Sequence, residues 1–289
     1  MDIDNVKKFH NAYITGNVDE LDRLWNNVAP KCLIKFYAAK YMEDGTNYSL
    51  DSIKNNMIWL SSPKCFNDPL DCVFNFDYNT EAEEEALKAF SIITNEEIKE
   101  RIIESGTGRL ILNQMKSRFQ NDMSIIDAKV EDSTYVTCFS ETNNIQDLSM
   151  WAHYANDHKG FCAEYDFKDI NSICEFGCIP VLYSNLYYQY KVDRNDGVER
   201  ILGRIYTKAK SWATEKEWRV VEMGKKKGLS GYRKNCELPL RIYIGCRASE
   251  KLISDLKQLC FDKKIELLKM ELTPGSYDLK YRLMEPGLR

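Results

Sequence analysis

From Thr134 onward, short apolar segments and single helical stretches follow one another without regular order, and this irregularity constrains the fold most. TYVTCFS (134–140), GFCAEYD (160–166), GCIPVLYS (177–184), EKEWRVVEM (215–223), LRIYIGCRA (240–248) and IELLKMELTP (265–274) read as strands, being short, β-branched or aromatic and bounded by turn residues. QDLSMWAHYAND (146–157), residues 198–213 and SEKLISDLKQLCFD (249–262) read as helices. Leu148, Trp151 and Tyr154 or Ala155 share a face of the first, and Ser249 caps the last. A parallel sheet needs a crossover between each pair of strands, and this order does not supply one. The pattern predicts an α+β fold around a mixed or mostly antiparallel sheet.

The preceding residues fit that plan. Residues 4–27 show helical spacing (Val6, Phe9, Tyr13, then Leu21, Leu24, Trp25), with a break near Gly16-Asn17. CLIKFYAAKY (32–41) reads as a strand, SLDSIKNNM (49–57) as a short helix capped by Ser49 or Asp51, and MIWLSS (57–62) as a strand closed by Pro63 and the turn Asn67-Asp68-Pro69. Residues 81–129 are charge-rich and helix-periodic, with Thr94 and Glu97 spaced as a capping box. They read as a helical insertion of two to four helices in one domain spanning 1–289.

Hydrophobic residues make up 44% of the 289 and aromatics 12%, enough for a packed core. A net charge of −4 gives no global basic field for nucleic acid. The run Lys225-Lys226-Lys227 with Arg233 and Lys234 is a local basic candidate, although a solvated loop is the simpler reading. The ten cysteines are scattered without a CxxC pair, which fits reduced, buried thiols rather than disulfides or a zinc site. The N-terminus lacks a signal-peptide pattern and no apolar run is long enough to cross a membrane, so a cytoplasmic protein without membrane attachment is expected.

No GxGxxG, GxxxxGK or GxSxG motif occurs, and the three histidines are too dispersed to frame a metal site alone. Four polar groupings stand at the ends of apolar segments. They are Lys35 in IKFY; Ser61-Ser62 followed by Asn67-Asp68; Ser140-Glu141-Thr142 followed by Trp151, His153 and Tyr154; and Glu215-x-Glu217-x-Arg219. Charges in such places are costly unless paired, so these groups meet one another or a ligand. If 215–223 is a strand throughout, Glu215, Glu217 and Arg219 share one face, with the carboxylates roughly 7 Å apart. Arg219 pairs with one, and the other is free to hold a hydroxyl or to oppose an oxocarbenium-like transition state. An exposed charged strand face has equal claim.

In order along the chain, WLSSPKCFNDPLDC, VTCFSE, SMWAHYANDHKGFCAEYD, PVLYS, WATEKEWRVV and IYIGCRAS resemble a bacterial and phage-associated family known only as a domain of unknown function, over roughly residues 33–250. More distantly, the order of these elements resembles ADP-ribosyltransferases of toxin–antitoxin and phage-defence systems. That resemblance implies a curved, split β-core gripping NAD in a cleft. Glu217 would be the catalytic glutamate, and Glu215, the first residue of an ExE pair, would position the acceptor. It further implies Lys35 at the pyrophosphate, Ser61 or Ser140 shaping the ribose pocket, and Trp151 or Tyr154 stacking on a ring. Asn67, Asp68, His153 and Arg219 complete the implied NAD-binding set. The macromolecular acceptor would be RNA, DNA or protein, and an antitoxin or defence partner is expected. The chain departs from the pattern in three places. Lys35 stands where one branch has arginine, Tyr37 and Tyr154 match the other branch's histidine and tyrosine only loosely, and Ser140 comes late, after the helical insertion. Two rival readings are a metal-dependent nuclease or hydrolase using His153 with Glu141 or Asp68, and a noncatalytic binding or sensor module.

Overall fold

A computed structural model of the chain describes residues 3–15, 17–73, 88, 95–188 and 202–285. Its strands are β1 (Cys32–Tyr37), β2 (Met57–Ser61), β3 (Thr134–Glu141), β4 (Phe161–Asp166), β5 (Cys178–Pro180), β6 (Leu182–Ser184), β7 (Thr207–Ala209), β8 (Glu217–Met223), β9 (Gly231–Asn235), β10 (Arg241–Ile244), β11 (Glu266–Leu272) and β12 (Leu279–Glu285). Ten of them form one sheet in the order β12-β11-β10-β4-β1-β3-β2-β9, with β8 paired to β3 and β5. Only β10 and β11 run parallel within it, joined by the helix Glu250–Lys263; the other pairs are antiparallel. The fold is α+β around a mixed, open sheet.

The crossover helix shows how the sequence sets an element. Ser249 Oγ accepts from Leu252 N at 3.2 Å, and Leu252, Ile253, Leu256, Leu259 and Cys260 fall on one buried face. Lys264 ends the helix with φ of 57°.

Two features of the sheet position the site. One edge of β3 is paired with β8 along its length, from Thr134 opposite Met223 to Ser140 opposite Glu217. The other edge is shared. β1 pairs only at Leu33–Glu141 and Ile34–Ser140, and β2 only at Ser61–Val136. The sheet is therefore split beside Thr137, Cys138 and Phe139, and Lys35 Nζ fills one of the vacated positions by donating to the Cys138 carbonyl at 3.1 Å. The second feature is the small parallel ribbon of β6 and β7, in which Tyr183 lies opposite Lys208.

The helix Leu148–Tyr154 borders the split. Asp147 caps it, accepting from Ser149 N and Met150 N. Its exit is strained, with Asn156, Asp157 and His158 all at positive φ (50°, 55° and 66°). Gly160 then passes so close to β1 that a Cβ there would lie 2.0 Å from the Tyr37 carbonyl oxygen.

Several boundaries differ from those read in the sequence. The expected strand 215–223 starts at Glu217. Residues Lys210–Glu215 form a 3-10 helix that ends at Lys216 with φ of 45°. Glu215 and Glu217 therefore do not alternate along one strand face. The expected helix 198–213 is, in its described part, α-helical only over 202–205, and then gives way to β7 and the start of the 3-10 helix. GCIPVLYS divides at Val181 into two strands with different partners. The helix Tyr48–Lys54 is capped by Asn47, whose side chain accepts from Ser49 N and Leu50 N, rather than by Ser49 or Asp51. Within 81–129, the helices Glu96–Glu104 and Gly106–Ser133 are described, the second running past the expected end. Thr94 lies outside the described residues, and Asn95 caps the first of these helices. β9 and β12 were not read from the sequence at all.

The N-terminal helices, Ile3–Thr15 and Val18–Val28, break where expected, with Asn17 capping the second. His10 is buried and its Nε2–H donates to the Pro180 carbonyl at 2.5 Å, fixing the first helix to the end of β5. Burial lowers the His10 pKa from 6.5 to about 4, against a smaller raising effect of the Pro180 carbonyl. The folded protein thus binds fewer protons here than the unfolded chain between those values, so this term stabilises fully above 6.5 and is lost as pH falls toward 4. Its size is on the order of 3 kcal/mol. Urea denaturation across this range should show the loss in wild type and a flatter profile for His10→Gln; equal slopes would remove His10 from the acid sensitivity.

Candidate functional site

Three carboxylates and two cations meet where β7, the 3-10 helix, β8 and the turn at Asp71 come together. Lys208 Nζ donates to Glu215 Oε2 at 2.5 Å and to Glu217 Oε2 at 2.9 Å, and lies 3.5 Å from Asp71 Oδ2. Arg219 Nε donates to Glu217 Oε1 at 2.7 Å, and its Nη2 reaches Asp71 Oδ2 at 2.7 Å and Glu217 Oε2 at 3.2 Å. The remaining Arg219 nitrogen donates to the Ile205 carbonyl at 2.5 Å and to Cys72 Sγ at 3.1 Å. Tyr154 OH donates to Glu215 Oε1. All five charged side chains are buried.

Backbone geometry aims the two glutamates together. The left-handed Lys216 turns the chain between them, and Asn144 Nδ2 holds that turn by donating to the Thr214 and Glu215 carbonyls at 2.9 and 2.7 Å. Glu217 N donates to Tyr183 OH at 2.8 Å. Their environments push the two carboxyls apart. Glu217 is held below the usual carboxylate range, because Arg219 and Lys208 outweigh the burial that opposes ionisation. Glu215 is raised, burial and the Glu217 charge together prevailing over Lys208. Lys208 stays protonated despite burial, held so by Glu217 and Glu215.

The cluster forms one wall of a cavity of about 360 Å³, also lined by Lys35, Asn67, Asp71, Cys138, Ser140 and His153. A second cavity of about 620 Å³ lies across the split in the sheet, lined by Tyr37, Tyr48, Trp59, Ser61, Thr137 and Arg233. Lys35, Phe36, Phe66 and Cys138 line both, so the two are compartments of one cleft with Lys35 at the junction. Each contains a buried acceptor that lacks a hydrogen-bond partner among the described residues, Asp71 Oδ1 in the first and Thr137 Oγ1 in the second. Lys35 packs 5.5 Å from the Phe139 ring centroid, and burial lowers its pKa against the raising influence of Cys138 and Glu217.

Residues 150–220 match the model of a family described as "Protein of unknown function (DUF2971)". No curated protein and no solved structure matches the chain. The matched segment carries His153, Tyr154, Lys208, Glu215, Glu217 and Arg219, whereas Lys35, Asp71, Cys138 and Ser140 enter the site from outside it.

The structure brings together most of the residues singled out in the sequence. Glu215, Glu217, Lys35, Asn67, Ser140, His153 and Tyr154 line the first compartment, and Tyr37 and Ser61 the second. Three residues stand apart. Trp151 is fully buried beneath the cleft, its Nε1 donating to the Ile145 carbonyl at 2.7 Å, so it offers no ring to a ligand. Asp68 lines a different cavity, beside Lys64 and Asp127. Arg219 has no exposed surface and acts on Glu217 from behind. Sequence reading missed Lys208 and Asp71. Lys208 falls in the stretch whose spacing predicts a helix, and Asp71 in the loop after Asn67-Asp68-Pro69; only the apolar residues around each mark them as charges in need of partners. Among the described residues no group of three or more His, Cys, Asp and Glu is arranged to hold a metal ion, and the centre of the acidic cluster is taken by the Lys208 ammonium.

Removing one partner of a buried ion pair strands the other charges, which costs about 3–5 kcal/mol. Lys208→Met should lower unfolding free energy by that amount in chemical denaturation. Adding Glu215→Gln should restore part of it, since one stranded carboxylate is then neutral. A double variant no more stable than the single one would mean that Lys208 does not compensate Glu215.

Proposed function

We propose that the chain is an ADP-ribosyltransferase that uses NAD as substrate, cleaves its nicotinamide–ribose bond and passes the ADP-ribosyl group to a macromolecule. The observation that carries this reading is the cleft itself: an ionised, buried carboxylate, Glu217, at one end, a lysine at the waist and an aromatic compartment beyond. A dinucleotide has the matching order of groups. Its cationic nicotinamide-ribose fits beside Glu217, its diphosphate beside Lys35, and its adenine against Trp59, Tyr48 or Arg233. Asp71 Oδ1 and Thr137 Oγ1 supply acceptors for sugar or base donors.

Each side chain then has a stated task. The glycosidic C–N bond breaks with its electron pair passing to the nicotinamide nitrogen, and nicotinamide leaves neutral. Positive charge developing on the ribose ring is opposed by Glu217, whose carboxylate needs no reorganisation because Arg219 and Lys208 already fix it. An acceptor oxygen or nitrogen closes on the sugar carbon, and its proton passes to Glu215, whose raised pKa suits it to act as a base. Together with the resemblance to toxin and phage-defence enzymes, this chemistry supports a role as a growth-arresting or antiviral effector held in check by a partner.

Nicotinamide release from NAD, followed by NMR with and without host lysate, tests the reading. Wild type should release it, and Glu217→Gln should reduce the rate at least about a hundredfold. Undiminished release by that variant sinks the role of Glu217, and no release by wild type in either condition sinks the activity. The rate should also fall as pH drops into the range where Glu215 takes up a proton, above that of an ordinary carboxylate, and Glu215→Gln should abolish that limb while lowering the rate throughout.

A further inference from the structure

The carboxylate strand is approached from a second side. A groove of about 530 Å³ runs between the first helix, the β5–β6 segment and the 3-10 helix, and Glu217 and Tyr183 close its inner end. Its floor is apolar, formed by Val6, Val181 and Leu182, and its rim carries Lys7, Lys210 and Lys216. Among the described residues none of these three lysines is in an ion pair, in a chain whose net charge is −4. Among the described residues, three cations without an ion-pair partner around one groove make a local positive field. Ser184 and Asn185 lead from it to a neighbouring hollow of about 350 Å³ beside Leu186 and Tyr187, whose side chains are 72% and 59% exposed.

We propose that this groove docks the macromolecular acceptor beside the cleft, and that the acceptor is a single-stranded nucleic acid. The inference rests on the transferase reading of the cleft. Point charges along a rim match phosphates, and the exposed Tyr187 in the adjoining hollow offers a ring to an unstacked base. Tyr183 joins the two sides. It lines the groove, and its hydroxyl accepts the Glu217 backbone N–H at 2.8 Å, so a nucleotide seated there lies next to the strand that carries the catalytic carboxylate.

The test is fluorescence anisotropy with labelled oligo(rU), oligo(dT) and a poly-glutamate peptide over a range of salt. Wild type should bind at least one oligonucleotide, with log affinity falling against log salt at a slope of about −2 for three phosphate contacts. Lys7→Glu/Lys210→Glu, both at exposed positions, should weaken binding roughly tenfold or more and flatten that slope. Lys225→Glu/Lys226→Glu, on the basic run before β9, should bind as wild type. Absence of oligonucleotide binding, equal binding by the groove variant, loss of binding only in the Lys225/Lys226 variant, or preference for poly-glutamate would each overturn the proposal. Nicotinamide release by wild type and Glu217→Gln, measured on the same preparations, separates the two claims. Binding with no release removes the transferase reading and with it the acceptor role, while release without groove-dependent binding removes only the nucleic acid.

Discussion

The arrangement at the head of β8 depends on one ammonium group. Lys208 lies within 2.5 and 2.9 Å of two glutamates and 3.5 Å of Asp71, all out of water. Each buried ion loses several kcal/mol of hydration, and carboxylates this close repel strongly in a medium of low polarity. The turn that places Glu215 beside Glu217 would open without a cation between them. β7 exists to deliver that cation. It is a three-residue strand whose partner, β6, is itself cut from β5 at Val181. The small ribbon is poor as a stabilising element, since short two-stranded pairings are marginal alone. Its value lies in where it puts Lys208.

The split in the sheet is the second half of the same design. A continuous sheet would pair the β3 backbone with a neighbour along its whole length and leave no opening at its edge. Because β1 pairs with β3 only at its far end and β2 only at Val136, the β3 edge at Thr137 and Cys138 has no strand beside it, and both residues line the second cavity. Lys35 keeps this gap from being an electrostatic fault by meeting the Cys138 carbonyl. The opening is flanked by two kinds of surface, acidic toward Glu217 and aromatic toward Trp59, and a single lysine separates them.

Much of the fold was legible in the sequence because strands and helices that bury one face leave a period. β1, β3, β4, β10 and the helix Glu250–Lys263 all have strongly apolar inner faces; β3, β4 and the helix match the limits read in the sequence to within a residue, while β1 and β10 start where expected and end about four residues early. The failures share a cause. β9 (GYRKN) and β12 (LKYRLME) stand at the ends of the sheet's strand order, where partly exposed side chains carry little periodicity. The helical spacing over 198–213 was overridden by the demand for Lys208 at the cluster. In the site, Glu215 and Glu217 were found because they are close in sequence and flanked by apolar residues. The strand alternation used to link them was not the real geometry; a left-handed Lys216 does that work. Trp151 was drawn toward the site by its neighbours His153 and Tyr154, yet helical rotation sends it inward between Phe36 and His158.

A network this well paired invites the view that it is only structural, and the lone pairs of Glu217 decide how far that view reaches. A carboxylate accepts about four hydrogen bonds. Three at Glu217 come from Arg219 Nε, Arg219 Nη2 and Lys208 Nζ, all charged donors that fix its position. The Cys138 side chain, which lines both compartments of the cleft, lies close enough for its thiol and the Glu217 carboxylate to shift one another's ionisation. In the reading proposed above, a ligand hydroxyl takes the remaining acceptor position on an anion that is already in place. Asp71 makes the same point from the other direction. Its Oδ2 is held by Arg219, while its Oδ1 is buried and has no partner among the described residues. A network that served only to pair charges would be expected to use both oxygens of a buried carboxylate, and at Asp71 one oxygen is left over. That spare acceptor is what the proposed reading assigns to a ligand donor.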